Sequence, residues 1–232
     1  MISKADQNIY RPYIELVDHA VERRIEKGQK PVLLDAGCGH STVLEDVYKK
    51  CKMVIGVDLD RQGLNKNKLV DKKIYADLTK IPIRDNSIDV VTSAWVLEHI
   101  EDPKKFTKEV DRLLKPGGYF TFIAPNIDGW YAFLASKTSN RFHKIANKFC
   151  YKRVEQDTFD TYYKINSEED LDKYLVDGLG YRKMRFIYND DPKYIGFFFL
   201  LKPFAYLWHK IVMKERFEQL RVHLIGLYYK PD

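Results

Sequence analysis

The chain is poor in the residues that build cross-links and metal centres. Three cysteines, Cys38, Cys51 and Cys150, are scattered over 232 residues, with no C-x-x-C pair and no histidine at zinc-ligand spacing. That pattern argues against a disulfide framework or a structural metal and suits a reducing cytosol. Long apolar runs are scarce too. The opening MISKADQNIYRPY has no apolar stretch of the kind a secretion signal needs. The most apolar segment, Tyr194 to Trp208, is broken by Lys202 and Pro203 and falls short of the roughly 20 residues of a spanning helix. No internal repeat or low-complexity tract is visible, so neither a solenoid nor a disordered chain is expected. A cytoplasmic protein follows, with peripheral contact at the inner face of the membrane as a variant considered below.

What is present is an ordinary globular composition, 45% hydrophobic and 31% charged, long enough for one domain over 1–232. The 39 Lys and Arg against 33 Asp and Glu leave a net charge of +6, a mild bias toward anionic partners. Between Tyr10 and Lys27, Ile14, Val17, Val21 and Ile25 recur at helical spacing, which predicts an N-terminal helix within 1–30 ending at Gly28. Five short apolar runs follow: PVLLD, MVIGVD (Met53 to Asp58), KIYAD (Lys73 to Asp77), IDVVTSA (Ile88 to Ala94) and YFTFIAP (Tyr119 to Pro125). Runs rich in Val and Ile, separated by helix-sized connections, predict a parallel sheet covered on both faces. In such sheets ligands bind beyond the carboxyl ends of the strands. The regular alternation stops at Asn126. Residues 126–166 read as a lid insertion, Ser167 with Asp170 opens a closing helix, and two further strands, YRKMRFIYN and HLIGLYYKP, flank an aromatic insertion at 190–220.

The chemistry concentrates in VLLDAGCGHST, Val32 to Thr42. A glycine turn after a strand usually cradles phosphate, yet Asp35 stands just before it and would repel a diphosphate. No third glycine completes G-x-G-x-x-G, and no Lys-Ser or Lys-Thr follows as a P-loop requires. The ligand that suits both features carries an ammonium and a carboxylate. Asp35 would favour the ammonium, and the N–H groups at the next helix start, where Thr42 and Glu45 make a capping-box pair, would favour the carboxylate. Asp58 closes the second run near the offset at which an acid reaches ribose hydroxyls. Asp77 closes the third, placed for an adenine amino group beside Leu78. S-adenosylmethionine has all of these groups.

In this set and order, LLDAGCGHS, GVDLD, ADLTKIPIRDNSIDVVTSAWVLEHIEDP and LLKPGGYFTF resemble a class I S-adenosylmethionine-dependent methyltransferase with a type 11 methyltransferase-like domain, over roughly Val32 to Pro125. The resemblance implies an α/β, Rossmann-like three-layer sandwich. Its seven-stranded, mostly parallel sheet has an antiparallel last strand, with a helical lid after strand five and another insertion before the last strand. It also implies cofactor contacts at Asp35, Gly37, Gly39, Asp58, Asp77, Leu78 and around Ala94, with Cys38, Leu59 and Trp95 beside them. Ser41 departs from the pattern, where many members have a further glycine.

For the transfer itself, His99 in WVLEHIEDP is the candidate base or acceptor-orienting group; the alternative is that it packs against or caps the helix that follows. Asn126, Tyr162 and Tyr163 are acceptor-pocket candidates, the tyrosines alternatively serving as lid packing. The acceptor expected is a hydroxyl or amine on a small or lipid-linked molecule, a saccharide or secondary metabolite first. Six cations between Lys137 and Arg153 (Lys137, Arg141, Lys144, Lys148, Lys152 and Arg153), with no acid among them, suit an anionic acceptor or merely a solvated lid face. Tyr194 to Trp208, followed by Lys210, Lys214 and Arg216, reads either as a membrane-surface element or as a buried helix walling the pocket. The competing readings are an RNA or other nucleic-acid methyltransferase, disfavoured because SAWV lacks the base-amine methylase motif, a non-catalytic S-adenosylmethionine-binding subunit, and a nicotinamide oxidoreductase, disfavoured by Asp35.

Overall fold

Alternation of side chains along each strand divides the apolar residues between two faces of one sheet. In the computed structural model, which describes residues 4–129, 159–191 and 202–232, seven strands pair in the order β3-β2-β1-β4-β5-β7-β6. They are β1 Val32–Ala36, β2 Met53–Asp58, β3 Lys72–Tyr75, β4 Ile88–Ala94, β5 Leu114–Pro125, β6 Arg182–Asn189 and β7 His223–Tyr229. The first five run parallel, and β7 lies antiparallel between β5 and β6. The expected mixed sheet with an antiparallel last strand is therefore the fold observed.

Helices cover both faces, as continuous apolar strands require. On one face Phe106, Val110 and Leu113 of α4 (Pro103–Leu113) join Leu171 of a short helix, α5 (Glu168–Asp172), against Leu34, Val57, Phe120 and Phe122. On the other, α1 (Lys4–Ile25) and α2 (Glu45–Tyr48) set Tyr13, Val17, Val21 and Val47 against Leu33, Val54, Val90 and Leu227. The buried stripe of α1 is Tyr13, Leu16, Val17, Ala20 and Val21, and the expected Ile14 and Ile25 flank it half-buried. Fully buried side chains such as Phe106 or Leu33 stabilise by about 1.5–3 kcal/mol each. Ser167 caps α5 as its spacing with Asp170 suggests, accepting from the Asp170 N–H at 3.1 Å and donating to its carboxylate at 2.7 Å.

Three boundaries differ from the sequence expectation, each through local hydrogen bonding. β3 ends at Tyr75, so Asp77 lies beyond the strand; its Oδ1 accepts from Thr79 N and Oγ1 at 2.7 and 2.8 Å, a turn that competes with strand pairing. β5 begins at Leu114, five residues before the expected Tyr119, because its first residue pairs with Ile88 ahead of a register break. The capping box at Thr42 and Glu45 does not form. Thr42 Oγ1 accepts instead from Leu44 N at 3.0 Å, and α2 starts at Glu45 with no side-chain cap. The basic run from Lys137 to Arg153, and with it the helical character of the lid, lies outside the described residues, as do Tyr194 to Leu201.

At the amino end of the sheet one buried acid fastens α1 to the strands. Asp89 accepts from Arg24 Nη2 at 2.6 Å, Lys115 Nζ at 2.8 Å and Val32 N at 2.9 Å, while Arg24 also reaches the Gly117 carbonyl. Burial opposes ionisation of Asp89 most, but these three bonds together hold its carboxyl below the usual range. The stability it supplies is thus present above the ordinary carboxylate pKa and lost as pH falls through the lowered one. Arg24→Met is expected to destabilise the fold by about 3 kcal/mol, since breaking one arm of a buried pair strands the other. Urea titration at neutral pH checks it, and a loss below about 1 kcal/mol would mean Lys115 alone suffices.

Candidate functional site

The loop between β1 and α2 is built by its own backbone and two neighbouring side chains. Gly37 takes a positive φ of 77°, and an added Cβ there would collide with Val96, so only glycine fits. Gly37 N and Cys38 N both reach the Val57 carbonyl, at 2.8 and 3.3 Å. Gly39, at φ 49°, donates to Asp58 Oδ2 at 2.7 Å, and the other oxygen of Asp58 accepts from Asp60 N at 2.7 Å. Asn67, fully buried, clamps the loop from behind, its amide reaching the Cys38 and Gly39 carbonyls at 3.3 and 3.1 Å. Asn67 was not foreseen: it stands just past α3 (Arg61–Lys66) in a polar stretch, and no motif marks a side chain that bonds backbone so far away in the chain.

Asp35 is 5% exposed, on the face where Tyr48 donates to its Oδ2 at 2.5 Å. Burial raises its pKa to about 6; the Tyr48 hydroxyl works in the opposite direction, and the charge of Asp58 adds to the rise. Among the described residues no donor reaches Oδ1 and no cation pairs with this carboxylate. A buried acid without a counter-ion is a site prepared for a positive ligand group. In front of Gly39 an added Cβ would meet nothing within 4 Å, so the turn opens onto space. These two observations fit an ammonium-bearing nucleoside. Cys38 contributes only backbone to the opening: its thiol packs on Gly56, where an added Cβ would lie 2.7 Å from the sulfur, and burial pushes its pKa up.

Along the same edge of the sheet, Leu59 is exposed and Leu78 half-buried, apolar groups suited to a base. Asp77 is exposed. Beside them the Arg61 guanidinium lies 4.4 Å from the ring of Tyr75. The expected cradle at the helix start is not built, because α2 begins at Glu45, six residues past Gly39, and is only four residues long. After β4, Ala94 is half-buried and Trp95 has a left-handed backbone, φ 60°. The Trp95 indole donates to Tyr10 Oη at 2.9 Å and packs T-shaped on His223 with ring centres 4.9 Å apart, and burial lowers the His223 pKa to about 3 and so keeps it neutral. Trp95 thus ties α1 to the rim of the site.

His99 closes the turn Leu97–His99 after β4. Its Nδ1 lies 2.8 Å from the Asp160 carbonyl, and since a carbonyl only accepts, Nδ1 carries the proton and Nε2 of the neutral ring keeps its lone pair. The segment holding Asp160 is itself fixed there: Tyr162 N and Tyr163 N donate to the Glu98 carbonyl at 2.7 and 3.2 Å, and Phe159 stands edge-on to His99 at 6.0 Å. Phe159, Tyr162 and Tyr163 are all exposed, an aromatic wall beside the imidazole. Asn126, also expected in the acceptor pocket, is buried with its amide engaged. Both hydrogens of its amide go to the Gln219 and Arg221 carbonyls, at 2.9 and 2.8 Å, and its Oδ1 accepts from Asp128 N. In this arrangement it pins the exit of β5.

A seven-stranded sheet with β7 reversed, a glycine turn after β1 and acids at the ends of β1 and β2 match the class I methyltransferase architecture. The comparisons agree. Residues 34–122 match the family model described as a methyltransferase domain. A protein of Mycolicibacterium smegmatis named as a probable S-adenosylmethionine-dependent methyltransferase is 32% identical over 97 residues, 40% of this chain and 38% of that protein. The ubiquinone biosynthesis O-methyltransferase of Idiomarina loihiensis is 34% identical over 108 residues, 42% and 44% of the two chains. The match thus spans about two fifths of the length of these curated relatives. Among solved structures, an S-adenosylmethionine-dependent methyltransferase from Mesorhizobium loti superposes with a TM-score of 0.58 over 91% of this chain and 96% of its own, at 16% identity. A geranyl diphosphate C-methyltransferase from Streptomyces coelicolor, solved with S-adenosyl-L-homocysteine, gives 0.56 over 91% and 76%, at 14% identity. Residues 34–122 are thus similar to methyltransferase domains, and the fold is the one those solved methyltransferases share.

Proposed function

We propose that this chain transfers a methyl group from S-adenosylmethionine to a hydroxyl or amine of a small or lipid-linked acceptor, with a saccharide or secondary metabolite ranked first. The observation that supports the reading is the contact of His99 Nδ1 with the Asp160 carbonyl, which would leave Nε2 to accept a proton from an acceptor. When bound, the cofactor supplies a methyl carbon already activated by the sulfonium. The chain has to hold, align and keep water out. Asp35 would pair with the ammonium and Asp58 with the ribose hydroxyls, using lone pairs not engaged by Gly39 and Asp60. Leu59 and Leu78 would line the adenine and Asp77 its amino group. His99 Nε2 would take the proton of the acceptor hydroxyl, while Phe159, Tyr162 and Tyr163 wall the acceptor. The O-methyltransferase named among the relatives supports oxygen as the accepting atom.

The test is a metabolite panel incubated with the protein and S-adenosylmethionine, read by mass gain of one methyl and by release of S-adenosylhomocysteine. Cofactor binding in calorimetry together with a methylated product is the expected result. Binding without turnover on any acceptor would favour a non-catalytic subunit, and tight NADH uptake with indifference to S-adenosylmethionine would remove the reading altogether.

A further inference from the structure

The helix before β7 presents an unusual outer face. This helix, α6 (Lys202–Val212), is fixed to the body along one side: Val212 is fully buried, His209 Nδ1 meets Asp190 Oδ2 at 2.6 Å, and Arg221 donates to the Val212 and Met213 carbonyls at 3.0 and 3.1 Å. At 3.6 residues per turn, Tyr206, Leu207 and Lys210 fall within one sector of about 100° on the opposite side, and Met213 and Lys214 follow in the turn just past the helix. All five are exposed, Tyr206 by 62%, Leu207 by 58% and Met213 by 49%. Large apolar groups alternate there with lysines, and no acid lies in the sector. Lys210 Nζ sits 4.7 Å from the centre of the Tyr206 ring, an ammonium carried at the edge of an apolar surface. The next residues add Arg216, whose guanidinium lies 4.4 Å from the Phe217 ring, between the exposed acids Glu215 and Glu218.

We infer that this face of α6 docks the protein on an anionic lipid surface. An apolar stripe interleaved with lysines is the pattern of a helix lying in a bilayer interface, the apolar groups entering the acyl boundary and the ammoniums meeting anionic headgroups. The charge singles out this occupant. Two copies meeting through this face would bring Lys210 and Lys214 against their own likeness, with acids only past its end at Glu215 and Glu218, whereas a leaflet of anionic lipid complements the lysines across the whole face. Eleven residues of helix span about 16 Å, too little to cross a bilayer, and the pinned inner side keeps α6 flat on the body; among the described residues no helix is long and apolar enough to cross. The most apolar segment of the sequence, Tyr194 to Trp208, overlaps the start of this helix. The docking goes beyond the methyltransferase reading and does not depend on it, but it deepens that reading by favouring acceptors that reside in, or are tethered to, the membrane.

The experiment is co-sedimentation of the full chain with vesicles of phosphatidylcholine alone or with 30 mol% phosphatidylglycerol (about that fraction suffices), with calorimetry of S-adenosylmethionine binding run in parallel. Expected is pelleting with the anionic vesicles only, reversed by high salt. The double change Lys210→Glu and Lys214→Glu, and separately Tyr206→Ser with Leu207→Ser, should each lower the vesicle affinity by about 30-fold and leave cofactor binding unchanged. Protein that stays in the supernatant at low salt, or vesicle binding indifferent to both double variants, overturns the proposal. A dimer in sedimentation velocity that these variants dissociate, without vesicle binding, assigns the face to a second copy instead. Loss of cofactor binding with vesicle binding intact would count against the methyltransferase reading alone.

Discussion

Asp35→Asn is expected to weaken S-adenosylmethionine binding by about 100-fold while raising the melting temperature of the free protein. The carboxylate is buried, has Asp58 as a like-charged neighbour, and among the described residues has only the Tyr48 hydroxyl to offset the loss of water. With a pKa raised to about 6 from an ordinary 3.8, keeping it ionised at pH 7 costs on the order of 3 kcal/mol. Because the folded value lies above the unfolded one, the stabilising contribution of the protonated form is complete below about pH 4 and is lost as pH rises through 6. Asparagine keeps the shape and still accepts from Tyr48, so the variant escapes that cost and should gain about 5 °C in a thermal melt at pH 7. It cannot offer a charge to an ammonium, and charge-assisted hydrogen bonds are worth about 1.5–3 kcal/mol. In the parent protein the same logic makes affinity for S-adenosylmethionine fall as pH drops below about 6 and the carboxyl takes a proton. Calorimetry and melting of both proteins between pH 5 and 8 (roughly the span in which such a group titrates) check the pair of effects. An asparagine variant that binds within threefold of the parent would mean that Asp35 does not meet the cofactor's positive group.

The opposed signs explain why this acid could be recognised from sequence at all. A carboxylate ahead of a glycine turn contradicts the usual phosphate cradle, and the contradiction is itself the functional signal; natural chains break local rules where a ligand repairs the cost. The strands were legible for a simpler reason. β2 and β4 are largely apolar runs buried on both faces, and their bounds at Met53–Asp58 and Ile88–Ala94 match the sequence expectation. Where the expectation failed, a side chain had captured nearby backbone. Thr42 took the Leu44 N–H, which separates α2 from the glycine turn, and Asp77 took the Thr79 N–H, which stops β3 two residues early. Periodicity is blind to such bonds. It is equally blind to Asn67, Asn126 and Arg221, whose partners are carbonyls elsewhere in the chain. These residues fix the loops that give the site its shape, and only folding reveals them. The acceptor side was hardest to read because His99 gains its orientation from Asp160, 61 residues away.

That distant contact permits a sharp test of His99. His99→Asn places an amide nitrogen near the position of Nδ1, so the variant retains a donor for the Asp160 carbonyl and the turn keeps its anchor to the Tyr162–Tyr163 segment. What it lacks is the lone pair of Nε2. If His99 takes the acceptor's proton, kcat with a hydroxyl acceptor falls by about 10² to 10⁴, while the dissociation constant for S-adenosylmethionine stays within a factor of about two, since nothing at Asp35 or the glycine turn is touched. His99→Ala loses both functions and should do no better. A purely holding role predicts the reverse pattern, with His99→Asn nearly as active as the parent and His99→Ala impaired, because only the alanine variant frees the segment that carries Phe159 and the two tyrosines. Single-turnover rates of the three proteins separate these outcomes, and full activity in the asparagine variant would take proton transfer away from His99 and leave it an anchor for the aromatic wall.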